Sequence, residues 1–176
     1  ILLALAIFFA RQYVRTEAGS RLLDNLKLNM PPFKGMFRRL YMARFTRMGQ
    51  TLLVTGVPML DMLAIAAEGV NNAVVAEEIT RAAGKVQSGK ALSAALQTED
   101  YILPMVPQMI KIGEQSGRID EMMGKTAQAY EDELDEEIQA ISTMIEPIMM
   151  VILAIFAGVL IGAVLFPIYS LVGSVR

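Results

Sequence analysis

From Pro147 to Val175 no residue carries a charge, and Ile148 through Phe156 open an apolar run that continues to Leu165. About 20 apolar residues cross roughly 30 Å of hydrocarbon as a helix, so the run predicts a membrane span over residues 147–172. The alternative, a core helix, needs protein on every face, and 176 residues hold one soluble domain of ordinary size. Hydrophobic residues make up 54% of the chain, above the roughly 45–50% of globular domains, and mean hydropathy is +0.44. A shorter run, Ile1 to Ala10, stops at Arg11 and reads as the end of another span over residues 1–12. It begins without Met, so the chain reads as part of a longer protein. The basic residues follow this run instead of preceding it, unlike a secretory signal.

The net charge of −2 conceals an asymmetry. Arg11, Arg15, Arg21, Lys27, Lys34, Arg38, Arg39, Arg44 and Arg47 crowd the first quarter, whereas acids dominate from Asp120 to Glu137. By the positive-inside rule the basic stretch lies in the cytoplasm, which places the region between the spans there and Arg176 across the membrane. The same stretch adjoins a span, so it reads as a topology signal and anionic-lipid contact; no nucleic-acid partner is expected.

Between the spans apolar residues recur at three and four, and no stretch alternates at period two. A short helix over 17–28 is broken by Pro31 and Pro32, giving a juxtamembrane helix and linker over 13–32. Six helices are then predicted over 33–146. They cover 37–55, 58–68, 73–87, 91–97, 104–116 and from 118 into the last span. Their stops carry turn chemistry: Gly56 before Pro58, Gly69, then Asn71 and Asn72, Ser88 with Gly89, and Gly117. In the sixth helix Ile119, Met122, Met123, Ala127, Tyr130, Leu134, Ile138, Ile141 and Ile145 hold one stripe into the span. The expected fold is all-α, an antiparallel six-helix cytoplasmic bundle flanked by transmembrane helices.

Cys and His are absent, which removes thiolate and imidazole chemistry. Gly84, Gly89 and Lys90 match the Gly-x4-Gly-Lys spacing of a phosphate loop, but Ala91 replaces the Mg²⁺-binding hydroxyl and no strand precedes it. No nucleophile stands beside a candidate base. Neither enzyme activity, cofactor nor metal site is expected.

Four stretches carry a resemblance. They are Arg44, Phe45 through Leu52, Leu53, Val54, Thr55, Gly56, Val57, Pro58; Gly89 through Ser93; Leu103, Pro104 through Met109 to Gly113, Glu114, Gln115, Ser116, Gly117; and Glu146, Pro147. In order and spacing they resemble the cytoplasmic repeat of the general secretion pathway protein F and pilus assembly platform family, over roughly residues 33–170. Lys90 and Tyr101, where an acid and a Phe would fit the pattern as well, are minor departures. The resemblance implies a bacterial inner-membrane, multi-pass protein with two six-helix repeats and three spans, of which this chain is the C-terminal half. It also implies the partners: a cytoplasmic assembly or secretion ATPase, pilin or pseudopilin subunits, other inner-membrane assembly proteins, membrane lipids, and further copies of the chain as a homo-oligomer. The function implied is a scaffold coupling the ATPase to subunit incorporation in a type IV pilus or type II secretion machine. A helical membrane receptor or signal relay is the competing class, and would show a ligand pocket or an output domain; a transporter subunit would show more spans.

Several residues admit two readings. Gly56, Pro58, Pro104, Gly113, Glu114, Ser116 and Gly117 form either structural corners or a partner-binding corner, because Gly permits close approach while Glu and Ser can satisfy helix-end groups. Glu131, Asp132, Glu133, Asp135, Glu136 and Glu137 read as a solvated face, with a hard cation or a basic partner as alternatives. Glu146 and Pro147 sit where water meets lipid, as helix break and headgroup anchor or as pilin contact. Met105, Met109, Met122, Met123, Met144, Met149 and Met150 read as core and lipid filler, with an adaptable sliding surface second. Ala154, Gly158 and Gly162, at four-residue intervals, predict a face that packs on another helix in lipid.

Overall fold

The computed structural model describes residues 24–26, 28–31 and 33–173, with side chains through residue 163. The Ile1 to Ala10 run and Arg11, Arg15, Arg21 and Lys27 lie outside them. Regular structure among the described residues is entirely helical, as the apolar periodicity predicts. Six helices follow residue 33: α1 (Lys34–Val54), α2 (Met59–Gly69), α3 (Ala73–Gln87), α4 (Leu92–Leu96), α5 (Met105–Ser116) and α6 (Ile119–Gly173). The chain divides into two units, one ending at Leu134 and the other beginning at Asp135.

The first unit is a helical bundle. Along α1, Tyr41, Met42, Phe45, Thr46 and Gly49 are buried, the one-sided spacing of an amphipathic helix. They meet Met62 and Leu63 of α2, Val75 and Ile79 of α3, Leu96 of α4, Ile110 of α5 and Met123 of α6 in one core. Each large apolar side chain fully buried contributes about 1.5–3 kcal/mol, whereas exposed ion pairs contribute about 0–1 kcal/mol. The core therefore dominates stability. Leu28, upstream of Pro31, is also fully buried in it.

The corners use one device three times. α1, α3 and α5 each end at a left-handed glycine, Gly56 (φ +83), Gly89 (φ +92) and Gly117 (φ +70). The residue after each glycine donates back across the turn: Val57 N to Leu52 O (3.0 Å), Lys90 N to Lys85 O (3.1 Å) and Arg118 N to Gly113 O (2.9 Å). This is the Schellman closure, and a side chain at the left-handed position would be strained. The α2 stop differs from the sequence expectation. Gly69 is the last helical residue and Asn71 takes the positive φ of 56°, because Asn tolerates that region. Asn72 alone caps α3, its Oδ1 accepting from Val74 N and Val75 N at 3.0 Å each.

α1 and the first turns of α6 run antiparallel. A Cβ on Gly49 would strike Met123, a Cβ on Gly124 would meet Gln50, and Arg47 and Arg39 pair with Glu131 and Glu133. As the α1 number falls, the α6 number rises.

The second unit is helical from Asp135 through Gly173. Ile138, Ile141, Met144 and Ile145 are exposed, as are the large apolar side chains from Ile148 to Ile161. α6 is long and apolar enough to cross a membrane by length and composition. It passes through Glu146 and Pro147 uninterrupted, so Pro147 is not a helix break.

Candidate functional site

Three carboxylates fix the loop between α4 and α5. Glu78, buried on α3, accepts from Asp100 N at 3.1 Å and from Tyr101 N at 2.9 Å. Burial, opposed by these amide donors, pushes the Glu78 carboxyl above its ordinary range. Glu99, also buried, accepts from Arg81 Nη2 at 2.7 Å and from Lys85 Nζ at 2.6 Å. Burial alone would raise Glu99 too, but Lys85 and Arg81 outweigh it and hold the group below the ordinary range. Burying two carboxylates is costly unless each is paired or hydrogen-bonded, and here each is.

The third is Glu114. Its carboxylate accepts from Ser93 N at 3.1 Å and Ser93 Oγ at 2.5 Å, so α5 satisfies orphan donors at the start of α4. The other members of its sequence element complete the corner. Gly113 is buried against α6, Ser116 Oγ donates to Ile112 O at 2.9 Å, and Gly117 turns the chain.

The loop and the two helices it joins wall an open groove of about 620 Å³, lined by Ser93, Ala94, Gln97, Ile102, Leu103, Pro104, Pro107 and Gln108, with Arg38, Glu99, Asp100 and Lys111 as its charged groups. The Arg38 guanidinium lies 4.8 Å from the centre of the Tyr101 ring, within cation–π range. The Tyr101 hydroxyl accepts from Asn29 Nδ2 at 3.3 Å and donates to Asn25 Oδ1 at 3.4 Å. Asp24 Oδ2 accepts from Ala73 N at 3.1 Å. Asn25 and Asn29 are thus fastened to the loop, and Asp24 to the start of α3.

The expected site residues fall in separate places. Pro104 precedes α5 and lines the groove, and Glu114 supports it through Ser93. Gly56 and Pro58 make the turn between α1 and α2. Glu146, Pro147, Ala154, Gly158 and Gly162 belong to the second unit, and a Cβ on Gly158 or Gly162 would meet nothing within 4 Å. The phosphate-loop spacing lies on the last turn of α3 and its closure, with Gly84 to Gln87 helical. Within the acidic run, Glu131 is bidentate with Arg47, holding Glu131 below and Arg47 above their ordinary values through that hydrogen bond, and Glu133 pairs with Arg39 at 2.6 Å. Two of the basic residues read as topology signals are therefore engaged in partly exposed ion pairs between α1 and α6. Among the described residues no cluster of carboxylates is arranged to hold a metal ion. Glu78 and Glu99 carry no motif, since each acts across elements and a lone acid looks the same wherever it points; Arg38 reads only as part of the basic stretch, and Ser93 and Lys111 only as members of the stretches that carry the resemblance.

The family model described as type II secretion system (T2SS), protein F, matches residues 45–167. A type IV pilus assembly protein PilC of Thermus thermophilus is 36% identical over 176 residues, 99% of this chain and 43% of its own. A PilC of Myxococcus xanthus is 38% identical, with 99% and 42% covered. A type II secretion system protein F of Pseudomonas aeruginosa is 33% identical over 161 residues, with 92% and 40% covered. The chain spans about two fifths of the length of these relatives.

Proposed function

The chain belongs to the type II secretion system protein F family, and from that membership we propose that it is part of a bacterial inner-membrane platform for pilus assembly. The observation that carries this is likeness over 99% of the chain to two proteins named for type IV pilus assembly. These two are also more similar, at 36% and 38% identity, than the secretion protein F of Pseudomonas aeruginosa at 33%, so the pilus machine is the favoured setting. In this reading α6 anchors the bundle in the membrane, and the bundle is cytoplasmic, following the basic excess upstream. The bundle is a scaffold without chemistry of its own: it couples an assembly ATPase to pilin incorporation, and the corner at Gly113, Glu114, Ser116 and Gly117 shapes the surface that its partners meet.

The test is genetic and biochemical. Deleting the gene in its own bacterium should abolish surface pili, complementation should restore them, and the tagged full chain should co-purify with the assembly ATPase. Normal piliation in the deletion strain would refute the proposal. A topology reporter that places Lys90 outside the cytoplasm would refute the orientation.

A further inference from the structure

We infer that the groove between α4 and α5 receives a short segment of a partner protein in which an apolar side chain is flanked by one or two carboxylates. This goes beyond the scaffold reading and does not depend on which machine the chain serves.

Three observations carry it. The groove is preformed, because Glu78, Glu99 and Glu114 hold its loop and the start of α4 from behind. A fixed wall lowers the ordering cost that a flexible one adds to binding. The lining is mixed, about equally polar and apolar, its apolar part coming from Ile102, Leu103, Pro104 and Pro107, and about 620 Å³ is within the roughly 300–1,000 Å³ of sites that take a compact ligand.

The third is the charge balance. Arg39, Arg47, Arg81, Lys85, Arg118 and Lys125 each have a carboxylate partner. Arg38 and Lys111, both lining the groove, have none among the described residues, as Lys34, Arg44 and Lys90 outside it have none, and Arg38 is steadied on the Tyr101 ring. Glu99 is neutralised by Arg81 and Lys85, which leaves Asp100 as the opposing acid. The excess is one positive charge beside a partly apolar lining. That balance suits an apolar residue with a few acids, and Asp100 disfavours a uniformly acidic segment.

The test places the photo-crosslinking residue benzoylphenylalanine at Gln108, on the groove wall, in the full chain in living cells. Crosslinked peptides are identified by mass spectrometry. The expected result is one recurring partner segment of the stated chemistry, with its yield falling about tenfold or more in R38E/K111E, as loss of close charge pairs predicts. Reversing the segment's own acids to Lys should then restore the yield. The reversal touches one half-buried and one exposed side chain. If it nonetheless unfolds the chain, R38Q/K111Q takes its place with the same expected loss. Crosslinks scattered over many proteins, a segment lacking acids, a crosslink to another copy of this chain, or a yield unchanged in the charge variants would each overturn the inference.

Discussion

A Cβ on Gly113 would stand 2.7 Å from the Cα of Ile119, so α5 and α6 meet at this corner backbone to backbone. No rotamer change can relieve that contact. Gly113→Ala should destabilise the bundle by about 1–3 kcal/mol, the cost of overpacking a close contact. Gly84→Ala is the control, since a Cβ there meets nothing within 4 Å inside α3, and it should stabilise by about 0.5–1 kcal/mol. Denaturant midpoints of the two variants moving in the same direction would contradict the corner's geometry.

Glu114→Ala strands the amide and hydroxyl of Ser93 at the start of α4. The expected loss is about 1–3 kcal/mol, the cost of leaving partly buried donors unmet. Hydrogen exchange at Ser93 should accelerate more than at Val75, whose amide is held by Asn72. Equal acceleration at both would mean global loosening and no local cap.

Glu99 should shape the acid limb of stability. Its folded carboxyl lies below the ordinary range, so its contribution is present above its unfolded value and is lost as pH falls through the folded one. Glu78 runs oppositely: raised on folding, its contribution is present below its unfolded value and fades as pH rises through the folded one. Glu99→Gln should be less stable than the parent at pH 7, with the gap closing below about pH 4, near the ordinary Glu range. Thermal melts showing a constant gap down to strong acid would contradict the pairing with Arg81 and Lys85.

Much of the bundle is legible in the sequence. The three left-handed corners stand at Gly56, Gly89 and Gly117 because only a residue without Cβ closes such a turn freely. The buried stripe from Met122 to Leu134 follows the helical period. The loop supports were less legible. Glu78 meets Tyr101 and Glu114 meets Ser93 across more than 20 residues, and a single acid on a helix looks the same whether it faces water or caps a neighbour. Arg39 and Arg47 sit in a basic stretch whose density points to topology, while their pairing with Glu133 and Glu131 depends on which faces α1 and α6 bring together.

Tyr101→Phe keeps the aromatic face under Arg38 and removes only the hydroxyl shared by Asn25 and Asn29. Stability should fall by no more than about 1 kcal/mol, since these bonds are exposed. Proteolysis near Asn29 should increase while the melting temperature barely moves. Unchanged cleavage would show that Leu28 and Asp24 alone secure the segment.

In the second unit, Gly158→Leu with Gly162→Leu adds bulk to the small-residue face without reducing hydrophobicity. We predict that insertion survives while helix packing and pilus assembly fail, because small side chains are what let helices approach in lipid. A double variant that assembles pili and keeps the parent's oligomeric size would show that this face is not an interface.

Two glycines of the bundle serve as sockets for sulfur: a Cβ on Gly49 would run into Met123, and one on Gly69 into Met48. Met123 is fully buried, so oxidants reach its thioether chiefly when the helices part, whereas Met48 is half-buried beside an exposed Gly69 and is open to them in the folded bundle. A sulfoxide formed on Met123 is bulkier and polar, and it faces the buried Gly49 socket, which has no room for it. Under oxidative stress an opening at Met123 should thus act as a ratchet, holding α1 and α6 apart until the thioether is restored.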